Sequence, residues 1–370
     1  MKISDLYYES IKAKDVFGRY VDHHHLDSFL KYQHPNWSIS TEGNSVEEKS
    51  IFSLTFGQGQ RRILMWSQMH GNETTTTKAL FDLVNSLDTD SELTESLRKN
   101  ATIKIIPMLN PDGANRYTRV NANEIDLNRD AQNLSQPESH ILKRVYKEFN
   151  PDYCFNLHDQ RTIYSAGDTR QPATLSFSSP AVDKERNLSP ERVRSMKLIA
   201  AIHKELLPLL GPQMARYDDS YNIDCVGDTF QSCGTPTLLF EAGHFPGDYQ
   251  REETRKYMWY AILIALRTIV GDSLDNYSIE EYTSIPSNQK KYFDILIRNA
   301  EGLGSDYKPG ESVGILYQEK LRDRRIEFQP LVEEIGELSD RFGHVEYDCR
   351  LERDLQTLKT DQLLSSLLFR

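Results

Sequence analysis

Between residues 60 and 270, short apolar runs alternate with amphipathic stretches, the pattern of a largely parallel sheet covered by helices. Strands are predicted at residues 63–67 (ILMWS), 102–107 (TIKIIP), 153–157 (YCFNL) and 237–240 (TLLF), each running into polar residues and a turn. Ala79, Leu80, Leu83, Val84 and Leu87 recur at helical spacing after the first strand, and Ile141, Leu142, Val145 and Phe149 do so before the third. Long helices are expected at 190–210 and 252–270. Past Gly271 the texture changes to β-like runs at 292–297, 312–317, 325–328 and 344–347, with turn signals at Lys308-Pro309-Gly310 and Arg322-Asp323-Arg324. A helix is expected over 351–369. The chain therefore divides, on this reading, into a larger α/β domain at 1–275 and a small β-rich domain at 276–370.

Four polar groups stand just past predicted strand ends, where open α/β sheets collect their sites: His70 and Glu73 in HGNE, His158 in FNLHDQ and Glu241 in LLFEAGH. A lone H-x-x-E is more simply a coincidence on a helix surface. With His158 added it becomes the two-histidine, one-carboxylate set of a catalytic zinc site, which leaves a fourth position open. Glu241, following a hydrophobic strand, is expected to be desolvated, its pKa raised, and to act as general base; the plain alternative is a carboxylate paired to a nearby arginine.

The segment from Asn110 to Asp130 carries Arg116, Arg119 and Arg129 in a chain with 55 acidic and 44 basic residues. Asn128 beside Arg129 suits a substrate carboxylate, and Arg119 an oxyanion; salt bridges to Asp126 or Asp130 are the alternative. Asn110-Pro111-Asp112-Gly113 by itself reads as a turn. Arg161 follows His158 closely enough to enter the cleft as a specificity residue. Asp228 suits either support of a metal-binding histidine or a basic substrate side chain, and His244 either the neighbourhood of the base or a loop. His23, His24 and His25 read as a surface turn, and Thr74 to Thr77 as the first turn of a helix.

The formal net charge of −11 disfavours nucleic acid as a partner. No run reaches the roughly 18 apolar residues of a membrane span, and the first twenty residues lack the apolar stretch of a secretory leader, so a cytoplasmic protein is expected. The four cysteines show no CxxC spacing, and reduced thiols are expected. Nothing here bears on oligomeric state.

Taken together, HGNE, NPDG, the run from Arg119 to DLNR, His158 and Glu241 resemble the zinc carboxypeptidase family, with the match in order and spacing running from His70 to Glu241. The resemblance implies a three-layer α/β/α fold on a mixed, largely parallel eight-stranded sheet. It implies one zinc ion per chain held by His70, Glu73 and His158, with Glu241 as base, Arg119 at the oxyanion, and Asn128 and Arg129 at the substrate carboxylate. A tyrosine on a loop before the base would be Tyr221 or Tyr217, with Tyr221 preferred. Glu124 stands where many relatives have glycine, and Asp130 ends DLNRD. The β-rich extension resembles that of the succinylglutamate desuccinylase and aspartoacylase group, which usually lacks the full NPDG.

The expected function is zinc-dependent hydrolysis of a C-terminal peptide or isopeptide amide by activated water. One alternative is an N-acyl amino acid deacylase, and another is a zinc-containing binding protein without turnover. In the first two the substrate is a peptide or acyl amino acid with a free carboxylate.

Overall fold

A computed structural model describes residues 8–369; residues 1–7, the start of the segment read for a leader, lie outside the described residues. The strands in chain order are β1 (Trp37–Asn44), β2 (Ser50–Gly57), β3 (Arg61–Ser67), β4 (Ala101–Ile106), β5 (Tyr153–Asp159), β6 (Tyr164–Ala166), β7 (Leu175–Ser178), β8 (Met214–Arg216), β9 (Thr237–Ala242), β10 (Asn288–Lys290), β11 (Tyr292–Arg298), β12 (Ser312–Arg322), β13 (Arg325–Gly336) and β14 (Phe342–Asp348). An eight-stranded mixed sheet runs β1-β2-β4-β3-β5-β9-β7-β8. Its centre, β4-β3-β5-β9, is parallel, while β1-β2, β2-β4 and β9-β7 pair antiparallel. The expected α/β/α architecture with a separate C-terminal sheet is what the chain forms.

The period-two alternation of strand side chains sorts this sheet's two faces. Ile63, Met65, Phe155, Leu157, Leu238 and Phe240 join the cluster under the helices Thr75–Leu87, Pro190–Leu210 and Glu252–Val270. Leu64, Trp66 and Cys154 point the other way, toward Leu142 and Val145 of the helix Pro137–Phe149 and Phe230 of the helix Val226–Ser232. Continuing the alternation along β5 and β9 puts Asn156, His158, Leu239 and Glu241 on that second face. The polar groups of the site thus follow from the same periodicity that builds the core.

A four-stranded sheet, β13-β12-β11-β14, forms from the C-terminal part. Ile295, Ile297, Val313 and Ile315 pack on Leu358, Leu364 and Leu368. The hairpin between β12 and β13 turns at Asp323 and Arg324, both at positive φ (48° and 60°), the pattern of a two-residue primed turn. Both strands run past the expected limits because Gln318 to Arg322 and Gln329 to Gly336, too polar to read as β, are held by cross-strand pairing. The single helix expected over 351–369 is broken into Glu352–Thr360 and Gln362–Leu368. Asp361 is extended there (ψ 119°) and its carboxylate caps the amides of Leu363 and Leu364.

The three consecutive histidines are not a surface turn: they open the helix His23–Leu30, with Asp22 as N-cap and His25 completing a capping box. Thr74 to Thr77 do begin the helix Thr75–Leu87, and their hydroxyls are bonded internally, as Ser67 Oγ to Thr76 Oγ1 at 2.7 Å shows. Among the described residues no helix is long and apolar enough to cross a membrane. All four cysteines are free thiols.

One ion pair ties the start of the described chain to two core helices. Asp82, fully buried, accepts from Tyr8 Oη at 2.7 Å, Ala13 N at 2.8 Å and Arg255 Nη2 at 2.6 Å. Arg255 also donates to the carbonyls of Ala13 and Val16. Breaking one side of such a buried pair strands the other charge, so Asp82→Ala is expected to lower the unfolding free energy by about 3–5 kcal/mol, read by denaturant titration.

Candidate metal and hydrolase site

The loop after β3 brings the first two polar groups together. Gly71 packs so closely on the 110–116 segment that a Cβ would stand 2.0 Å from Gly113 C and 2.2 Å from Ala114 N. Gly113 is itself crowded by Asn110 and by Val120 O. HGNE and NPDG are therefore one structural unit in which two backbones touch, which only glycine permits. NPDG is also more than a turn: Asn110 caps the short helix Pro111–Arg116 by accepting from Gly113 N at 2.8 Å.

His70, Glu73 and His158 converge, with ligand atoms within 4.8 Å of one another. Glu73 lies 2.8 Å from His70 Nδ1 and 2.7 Å from His158 Nδ1, and the two Nδ1 atoms are 3.1 Å apart. Two imidazole nitrogens and a carboxylate facing one point repel unless a proton or a cation lies among them. Zinc bonds of about 2.0–2.1 Å in a tetrahedron would space such atoms roughly 3.3 Å apart, so the donor set and its spacing fit zinc. His70 Nε2 is 3.1 Å from Asp126 Oδ1, which orients the ring with Nδ1 inward; His158 Nε2 has no partner among the described residues.

The two histidines are pushed in opposite directions. Burial lowers both, but Glu73 and Asp126 raise His70 above its ordinary value, whereas His158, with Glu73 alone and His70 beside it, stays lowered. Glu73 is held well below the carboxylate range despite burial, because both imidazoles face it. A neutral His158 and an ionised Glu73 are the forms a metal binds.

Glu241 is the register partner of His158 across the parallel β5-β9 pair, and of Ser176 across β7. Its carboxyl is pushed well above the usual range, first by burial and then by Glu73 and Asp159, against the pull of Arg119 and Arg251. The desolvation expected from its strand context is present, and no arginine ion pair to it occurs among the described residues.

Arg119 reaches the cluster, with Nη1 3.3 Å from Glu73 and 3.2 Å from His70 Nδ1 and Nε 3.0 Å from Asp126. Asn128 Oδ1 accepts from Val226 N at 3.0 Å, and Arg129 Nη1 lies 3.0 Å from Cys225 Sγ; Asp130 is instead occupied by Ser135 and Gln136. Arg116 turns away to Glu47. Glu124 sits at φ 61°, a left-handed position where a glycine fits without strain. Tyr217, Tyr221, Arg161 and Asp228 all line the same cavity of about 780 Å³ as the cluster. Burial, Glu241 and Tyr164 together hold the Tyr217 phenol far above its ordinary pKa. Asp228 is pushed up to about 6 by burial. His244 is buried against Tyr249 and His344, at 4.7 and 4.1 Å between ring centroids, and does not line the cavity.

Some residues of the site were not singled out from the sequence. Asp126, which supports His70, is visible in DLNR only as a possible partner of arginine. Arg19, Arg251 and Asp294 carry no local signal, because they reach the cavity from distant parts of the chain; so do Tyr317, Glu319 and Phe328 of the C-terminal sheet.

The fold is a mixed α/β sheet with a group past its strand ends that could hold a metal ion. Residues 26–203 match the family model described as Zinc carboxypeptidase, so the resemblance drawn from HGNE, NPDG and DLNR is shown. Carboxypeptidase 2 of Trichophyton rubrum is 26% identical over 127 residues, 34% of this chain and 22% of that protein. Cytosolic carboxypeptidase 6 of Mus musculus is 28% identical over 159 residues, 38% of this chain and 29% of that protein. The aligned part of the chain thus spans about a quarter of the length of these relatives. Among solved structures, a metallo-carboxypeptidase from Burkholderia cenocepacia superposes with a TM-score of 0.55 at 19% identity, covering 69% of this chain and 70% of that one. A metallo-carboxypeptidase from Pseudomonas aeruginosa, in complex with (2-guanidinoethylmercapto)succinic acid, does so at 0.54 and 15% identity, covering 69% and 70%. These likenesses establish the fold.

A carboxyl whose folded pKa lies above its unfolded value contributes stability below that unfolded value, lost as pH rises through the folded one. Glu241 is such a group. Metal-free Glu241→Gln is therefore expected to melt above metal-free wild type at pH 7, with the gap closing toward pH 4, as followed by calorimetry.

Proposed function

We propose that the protein is a zinc-dependent, metallocarboxypeptidase-like hydrolase that cleaves a C-terminal peptide or isopeptide amide. The observation that carries this reading is the convergence of His70 Nδ1, Glu73 and His158 Nδ1 past the strand ends, with Glu241 in register beside His158. In this reading one zinc ion per chain is held by those three residues. Bound there, zinc supplies Lewis acidity toward the amide carbonyl and lowers the pKa of water to near 7.

The chain's own residues supply the rest. Glu241, buried and displaced toward neutrality, takes the proton of the attacking water and returns it to the leaving nitrogen. Arg119, whose guanidinium already lies beside Glu73, donates to the carbonyl oxygen as negative charge develops on it. Asp126 holds His70 in the tautomer whose Nδ1 faces inward. Arg129, with Asn128 anchored at Val226 N, receives the substrate's free carboxylate. Tyr217 and Tyr221 line the pocket for the released residue, and burial of Tyr217 keeps its phenol protonated as a donor. Arg161, which lines the same cavity, contacts substrate there.

One observation favours a second reading, an N-acyl amino acid deacylase. Tyr317, Glu319 and Phe328 of the C-terminal sheet wall the cavity and leave about 780 Å³, space for a compound of a few residues. The proposed division of the chain at residue 275 assigns that wall to the second domain.

Glu241→Gln is expected to keep one zinc per chain by elemental analysis but to lose turnover on the order of 10³-fold, the scale of a missing general base. The acidic limb of the kcat/KM profile should lie above the ordinary carboxylate range and be absent in that variant; wild-type turnover would remove Glu241 from the mechanism. Arg129→Ala is expected to raise KM about tenfold or more for substrates with a free C-terminal carboxylate and little for their amides. Equal effects on both would refute the clamp. Product mass spectrometry over free peptides, amidated peptides and N-acyl amino acids separates the two readings.

A further inference from the structure

Arg19, Arg161 and Arg251 line the cavity together with Tyr317, Glu319 and Phe328 of the C-terminal sheet. Arg251 and Arg19 are 1% and 6% exposed. Arg251 donates from Nη1 to the carbonyl of Ala242 and from Nη2 to that of Gln160 at 2.8 Å, while its Nε has no partner among the described residues. Its partners are neutral carbonyls; the carboxylates that it feels, Asp159 and Glu319, act at a distance. Its backbone is left-handed (φ 60°, ψ 31°), a region that residues other than glycine rarely adopt. Backbone strain and an uncompensated buried charge therefore coincide at one position on the cavity wall.

Arg19 is matched by Glu319 of β12 at 3.0 Å, and Glu319 also accepts from Tyr117 Oη, but Arg19 Nε too has no partner. The other carboxylates nearby are occupied. Asp159 takes the amide and hydroxyl of Thr75, at 3.0 and 2.5 Å, and Asp294 takes Tyr249 Oη and Tyr317 N, at 2.9 and 2.8 Å. Arg161 is one residue beyond the carbonyl that Arg251 holds; it is exposed, lines the cavity and makes no ion pair among the described residues. Burial, and then Arg19, pulls Arg251 down to about 10, so it stays charged at neutral pH in a place that disfavours the charge. An arriving anion relieves that imbalance.

The two arginine groups serve different parts of the cavity. Arg129 acts on Cys225 and Asp228, whereas Arg251 acts on Glu241 and Asp159. With the leaving half of a substrate held at Arg129, the acyl half is left to the part of the cavity that Arg19, Arg161 and Arg251 line.

We propose that the end of the cavity walled by the C-terminal sheet is an anion subsite, where Arg161, backed by Arg19 and Arg251, receives a carboxylate carried on the acyl side of the scissile amide. The substrate class is then a dipeptide-like compound with an acidic residue before the released one. This rests on the hydrolase reading of the adjoining metal cluster, and the test separates the two. With the zinc-loaded full chain, kcat/KM is compared for Glu-Leu against Gln-Leu and Glu-Lys against Gln-Lys, in wild type and Arg161→Gln. Affinities of the same dipeptides for zinc-loaded Glu241→Gln are measured by calorimetry. Arg161 is exposed, so its replacement leaves the fold intact.

The Glu member is expected to be preferred about tenfold or more, in turnover and in binding, with the ratio collapsing toward one in Arg161→Gln. Equal binding of the two members by Glu241→Gln, or a preference that survives Arg161→Gln, overturns the subsite. Preferential binding without any turnover by wild type keeps the subsite and removes the hydrolase reading. Turnover without preference does the reverse.

Discussion

The parallel pairing of β5 with β9, which sets His158 directly beside Glu241, is the constraint on which the rest of the site depends. In a strand, a shift of one residue turns every side chain to the other face. Slipping this pair would exchange His158 and Glu241 with Leu157 and Phe240, putting polar groups into the largest apolar cluster and apolar ones into the cavity. The apolar residues on the far side, Phe155, Leu157, Leu238 and Phe240, hold the register through burial against the helices beneath. Core packing and site geometry are one decision, taken by alternation along two strands.

That decision concentrates like charges. Glu73 raises both Asp159 and Glu241, Asp159 also raises Glu241, and the chain offsets the three by different means. Glu73 has two imidazoles, Asp159 has Thr75 and the fields of Arg19 and Arg251, and Glu241 has no close partner. The unbalanced member is the one whose proposed role requires a proton affinity near neutrality. A site strained in this way needs rigid supports elsewhere, and the pair between Asp82 and Arg255, buried with all its donors used, is one of them.

The C-terminal sheet changes the character of the cleft. The helices Glu352–Thr360 and Gln362–Leu368 cover one face, and the other brings Phe293, Leu296 and Leu316 against Ile163. That contact lets Tyr317, Glu319 and Phe328 reach a cavity centred on residues of the larger sheet. Two of the buried cations, Arg19 from the start of the described chain and Arg251 from a left-handed residue before a long helix, meet there.

Much of this was legible in the sequence. The central parallel strands, the long helices and the positions of His70, Glu73, His158 and Glu241 follow from local periodicity and from polar residues placed just after apolar runs. These are short-range properties, so the amino-acid order determines them. It also determined that Gly71 and Gly113 are small, though not that they touch. The histidine helix escaped because its cap, Asp22, and its packing on Phe52 and Ser50 lie outside its own pattern. Asp126 as the support of His70, the field of Glu241 on Tyr217, and the meeting of Arg19 with Arg251 on the cavity wall were decided only by tertiary structure. Each depends on side chains far apart in sequence meeting in a desolvated space, and electrostatics at that range is set by distance and burial, which the order of residues alone does not state.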